Sequence, residues 1–69
     1  MSMGEKIRSL RAGQGKTLRE TGDIFGVKLN TVYRWEHNIT APRAVMLNKM
    51  SEHYGVPLEW FFRTENGSL

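Results

Sequence analysis

The sequence predicts an all-α fold built from five short helices, and three observations carry that prediction. Large apolar residues recur at helical spacing, as at Met3, Ile7 and Leu10 and again at Leu47, Met50 and Tyr54. Residues that start or stop helices stand between these stripes: Thr17 with Glu20 three positions on, Gly26, Pro42, Gly55 and Pro57. No run alternates with period two for long enough to argue a strand, and no internal repeat or low-complexity tract is visible.

The first helix is expected in GEKIRSLRA, where Met3, Ile7 and Leu10 form one stripe; Gly13 and Gly15 end it. Thr17 then caps a second helix, TLRETGDIF, and Glu20 completes a capping box. Gly26 stops it after only a few turns. A third helix, LNTVYRWE, sets Val32 and Trp35 three apart on one face and leaves Leu29, Asn30, Tyr33 and Arg34 elsewhere around it. The turn between the second and third helices is therefore very short. Asn38 tolerates the left-handed backbone that closes a helix, and Pro42 marks the approach to the fourth, RAVMLNKMSEHY, which ends at Gly55. Pro57 opens a short fifth helix, PLEWFF, and the polar stretch RTENGSL follows. The expected organisation is one domain over residues 1–62 and a fraying tail over 63–69.

A chain of 69 residues supports one small core, since a domain of this size buries only about 60% of the surface its unfolded chain exposes. With no cysteine, neither disulfides nor thiolate zinc sites are available, and stability must come from helix packing, with or without a partner chain. No apolar run approaches the roughly 18 residues of a membrane span, and MSMGEKIRSL lacks the apolar centre of a signal peptide. A soluble, cytoplasmic protein is the expectation. The formal charge of +3 is unevenly placed: residues 1–50 hold nine Lys/Arg against four Asp/Glu, and residues 51–69 hold one against three. The basic part is the natural face for an anionic partner.

Gly15-Lys16-Thr17 has the end of a nucleotide P-loop. A P-loop also needs a strand before it and a glycine five positions upstream, where this chain has Leu10 on a helix. A glycine-containing link followed by a threonine cap explains all three residues. His37 and His53 lack the partners of a metal site or general base, and no paired carboxylates or nucleophile-base set appears. No enzyme, metal, cofactor or small-molecule ligand is expected.

The strongest signal lies between Leu18 and His37. Phe25, Gly26, Val27, Val32 and Trp35 fall where a helix-turn-helix requires apolar, glycine, apolar, apolar and apolar residues. Glycine permits the sharp turn, and the apolar positions lock two helices at a fixed crossing so that one projects outward. An ordinary helical hairpin would satisfy the same packing. With these residues in hand, the chain resembles the lambda-repressor and Cro type (XRE-like) of helix-turn-helix protein over residues 4–62. The resemblance includes Arg11, Thr17 to Glu20, Gly26-Val27, Trp35-Glu36, Asn38, Pro42 and the run from Gly55-Val56 to Glu59-Trp60-Phe61-Phe62. Thr21-Gly22 stands where the family commonly has Leu-Ala, and Lys28 where it often has a Ser/Thr cap.

The resemblance implies a five-helix DNA-binding domain, with the helix-turn-helix at helices two and three and many members binding operators as homodimers. Residues matching the base-reading positions are Lys28, Leu29, Asn30 and Arg34, with Tyr33 adjoining. Their chemistry fits: Asn pairs bidentately with adenine, Arg with guanine, and Leu packs on a thymine methyl. Phosphate contacts are expected from Lys16, Thr17 and Leu18 and from His37, Asn38, Thr40 and Arg43. Arg11 and Glu36 match a pair that the family uses as a salt bridge, although charge alone would put both on the surface. Trp60, Phe61 and Phe62 are too many aromatics for one small core to take from one short helix. The alternatives are a dimer contact by at least one of them or an intramolecular plug. The expected function is a sequence-specific transcription regulator of phage- or prophage-repressor type, bound as a homodimer to a palindromic operator on double-stranded DNA. The alternative is an antitoxin-like protein-interaction module with secondary DNA binding.

Overall fold

The computed structural model describes residues 1–63, which form four α-helices and a terminal 3₁₀ helix, with no strand among the described residues. The helices are α1 (Met3–Gly13), α2 (Leu18–Phe25), α3 (Leu29–Glu36) and α4 (Ala44–Tyr54), followed by the 3₁₀ helix Leu58–Phe62. Of the tail expected over 63–69, all but Arg63 lies outside the described residues.

Local chemistry sets the boundaries. The Ser2 hydroxyl accepts from the Glu5 amide at 3.1 Å and the Glu5 carboxylate from the Ser2 amide at 2.7 Å, a capping box that starts α1. Thr17 and Glu20 repeat it at α2, at 3.0 and 2.9 Å. These backbone hydrogen bonds hold the carboxyls of Glu5 and Glu20 below their ordinary 4.5. Gly26 takes the left-handed conformation, φ 74°, that ends α2, and its amide donates to the Gly22 carbonyl.

The fifth element differs from the α-helix expected. Five residues between extended Pro57 and extended Arg63 leave room for almost no i→i−4 bond, so the backbone closes tighter i→i−3 bonds. The Trp60 amide donates to Pro57 at 3.0 Å and the Arg63 amide to Trp60 at 3.3 Å.

Every element sends at least one side chain into a common core: Ile7, Phe25, Val32, Trp35, Leu47, Met50 and Phe61 are each no more than 6% exposed. Met3, Leu10, Leu18, Val27, Met46, Tyr54, Val56 and Trp60 pack around them. Three polar side chains, Lys6, Thr21 and Glu36, sit inside. Lys6 is 1% exposed. Its ammonium donates to the carbonyls of Trp60 (2.6 Å) and Arg63 and lies 5.2 Å from the centre of the Trp60 ring. Thr21 is fully buried, and its hydroxyl has no partner among the described residues.

The α2–α3 corner is one of two tight backbone approaches in the fold, the other lying at Gly4, against the Trp35 and Glu36 carbonyls. A Cβ on Gly22 would stand 2.5 Å from the Val27 carbonyl oxygen and 3.3 Å from the Lys28 carbonyl carbon, both backbone atoms with little room to move. Gly22, which helix propensity alone counts as a weakness, is what lets α3 turn so closely over α2.

Two substitutions follow from this corner. Gly22→Ala gains about 1 kcal/mol of helix propensity but meets the Val27 carbonyl, so net destabilisation of about 1–3 kcal/mol is expected in urea unfolding. Its neighbour behaves oppositely: Thr21→Val removes an orphaned hydroxyl at nearly constant volume, and chemical denaturation should show a gain of about 1 kcal/mol.

Candidate functional site

Of the exposed surfaces, the outer face of α3 combines hydrogen-bonding, cationic and apolar side chains on one rigid support. Val32, Trp35 and Glu36 turn inward. At about 100° per residue, Asn30, Tyr33, Arg34 and His37 then share the opposite arc, and all four are exposed. Leu29 flanks this arc, 39% exposed, one turn before Tyr33. Lys28 occupies the N-cap in extended conformation and makes no side-chain capping bond, so the start of α3 keeps a free cationic side chain beside its first amides. Arg19 and Asp23, one turn apart on α2, join Val27, Lys28, Leu29 and Asn30 in lining an open cleft there.

The far end of α3 is clamped. Arg11 reaches Glu36 with Nε at 2.5 Å and Nη2 at 3.0 Å, while Nη1 donates to the Lys16 carbonyl at 2.9 Å. The Glu36 side chain is 3% exposed and that of Arg11 16%, so the pair is shielded from solvent. The bond to Glu36 raises the Arg11 guanidinium above its ordinary value, and burial pushes the neighbouring Tyr54 phenol up. A second clamp has no signal in the sequence pattern. Asn38, left-handed at φ 59°, accepts from the Gly4 amide at 3.0 Å and donates to the Ser2 hydroxyl at 3.0 Å.

The side chains assigned to phosphate flank this face unevenly. Lys16, His37, Thr40 and Arg43 are exposed. The Thr17 hydroxyl and backbone amide are both engaged in its capping box, and Asn38 is bonded through its side chain to Gly4 and Ser2 and through its backbone amide to the Trp35 carbonyl, so side chain and backbone are already engaged at both positions. Leu18 is half-buried against the core, leaving its amide rather than its side chain as the accessible group. The aromatic triplet divides. Phe61 is 2% exposed and fills the core, which removes it from the expected dimer contacts; Trp60 is half-buried edge-on to it; Phe62 is 62% exposed.

A family model described as helix-turn-helix matches residues 7–61. Among solved structures, the chain is similar to the P22 c2 repressor protein, in a crystal structure of its complex with synthetic operator 9T in the presence of Tl+. The two share 24% identity over 88% of this chain and 92% of that one, with a TM-score of 0.81. At that identity the likeness establishes the fold. No curated protein sequence matches.

Removing Arg11 strands a buried carboxylate. Arg11→Ala is expected to cost about 3–5 kcal/mol, whereas the exposed control Lys49→Ala moves stability by no more than about 0.5 kcal/mol. Equal melting temperatures for the two variants would contradict a structural role for the pair.

Proposed function

Because the chain belongs to the helix-turn-helix family, we propose that it is a sequence-specific DNA-binding transcription regulator that inserts α3 into the major groove. The observation that carries this reading is the exposed arc of Asn30, Tyr33 and Arg34 on a helix whose inner face and both ends are locked. Asn30 reads adenine, Arg34 reads guanine and Leu29 packs on a thymine methyl, each through edges that only the major groove displays. Lys28 and Tyr33 complete the base-facing set. Lys16, Thr40 and Arg43, with the backbone amide at Leu18, grip phosphates on either side and set the register of α3.

The reading extends to a repressor of phage or prophage type acting as a homodimer on a palindromic operator. Phe62, with Leu58 and the outer edge of Trp60, offers an apolar surface for a second copy. Two α3 helices on one face of the duplex would stand about 34–36 Å apart. The structurally similar P22 c2 repressor, crystallised in complex with a synthetic operator, supports the choice of DNA as partner. The same Phe62 and Leu58 surface supports a second reading, an antitoxin-like module whose main partner is another protein. Salt separates the two: binding that contacts several phosphates weakens steeply with ionic strength, by about 0.9 in log–log slope for each phosphate.

Selection from random duplex DNA supplies the cognate site for the decisive measurement. Arg34→Ala should lose about 1–3 kcal/mol of affinity for that site while its melting temperature stays at the parent value. Unchanged discrimination between selected and random duplex would remove Arg34 from base reading.

A further inference from the structure

We infer that His37 serves DNA recognition as a positioning residue, its imidazole stacked on Tyr33 so that the phenol is held in one orientation against the bases. The inference rests on the proposed reading of α3 as the helix in the groove, and it moves His37 from phosphate clamping to the support of base reading. The two rings lie with centroids 4.1 Å apart and planes inclined by 31°, the close, tilted geometry of a stacked pair rather than a chance approach. They stand one helical turn apart on the exposed arc.

His37 is unusually well placed to hold its neighbour. It is the first residue past α3, and its amide donates to the Tyr33 carbonyl at 3.0 Å, so backbone and ring both engage the same residue. The next residue is the Asn38 clamp, whose side chain is bonded to Gly4 and Ser2 at the start of α1. Order therefore passes from α1 through Asn38 to His37 and from there to the Tyr33 ring. An exposed tyrosine with no such neighbour would lose rotamer freedom on docking; one already stacked has lost it beforehand, which favours the bound state. Leu29, one turn before Tyr33, continues the same ridge toward the start of the helix.

A stacking role and a phosphate contact give opposite signatures. If His37 positions Tyr33, His37→Ala lowers affinity for the selected site by about two- to tenfold. Affinity for random duplex and the salt slope stay at parent values, and His37→Phe, which keeps a ring without hydrogen-bonding nitrogens, restores specific binding. Tyr33→Ala/His37→Ala then binds no worse than Tyr33→Ala alone. The role is overturned if His37→Ala binds as the parent does, if the two losses simply add, or if both His37 variants weaken selected and random duplex alike with a salt slope reduced by about 0.9. A DNA-free measurement keeps the two levels apart. The His37 ring protons of the free protein should be shifted upfield and return in Tyr33→Ala. Absence of that shift removes the stack and leaves the proposed function standing; a parent that enriches no sequence from random DNA removes both.

Discussion

The fork of Arg11 on Glu36 is the interaction on which the rest of the arrangement depends. One guanidinium joins three parts of the chain: it rises from α1, takes both oxygens of the carboxylate at the end of α3, and spends its remaining edge on the Lys16 carbonyl just before α2. Glu36 is too buried to be left unpaired, so the bond acts less as added attraction than as a condition for closing α3 onto the core. The opposite end of α3 is governed by the corner, where left-handed Gly26 ends α2 and Gly22 lets the Val27–Lys28 backbone lie against it without a side chain between. Between a steric stop at its start and an ionic stop at its end, an eight-residue helix gains a rigidity its own length would not provide.

The outer face inherits that rigidity. Val32 and Trp35 anchor α3 from beneath, so Asn30 and Arg34 project from a surface that does not rotate. Electrostatics are simple in consequence: Lys28 stands at the start of α3 and Arg43 just before α4, while the Arg11–Glu36 pair is neutral as a unit and adds little to the field. The proposed DNA-reading surface and the stabilising pair occupy the same helix without competing for the same residues.

Much of this was legible in the sequence because it is written locally. The Thr17–Glu20 capping box, the stops at Gly26 and Gly55 and the apolar stripes of α1 and α4 are decided by residues a few positions apart, and the structure contains them where pattern puts them; the Ser2–Glu5 box is equally local but went unread, and α1 runs through Gly13 to a cap at Gln14. The fifth element was legible as a turn of helix but not in its type, which follows from having only five residues between two extended ones. What escaped pattern reading joins distant positions. Lys6 is burial against type, and its acceptors are backbone carbonyls 54 and 57 residues away that no composition could announce. Asn38 was legible as a left-handed residue but not as a ligand for the start of α1, 34 positions earlier. The Arg11–Glu36 pairing came from family likeness, since charge alone would have left both in solvent. At Gly22 propensity weighs a helix by itself, and only the backbone laid across it shows why glycine stands there.

The ammonium of Lys6 sets a boundary that no helix marks. It is held by carbonyls on either side of the last aromatic residues, with the Trp60 ring against it. Were the chain trimmed at the end of α4, that cation would lose both acceptors and its aromatic cover, and the Phe61 socket beside it would open to solvent. The smallest autonomous fragment therefore reaches at least to Arg63, and a linker or fusion partner joined any earlier would dissolve the latch that closes the bundle.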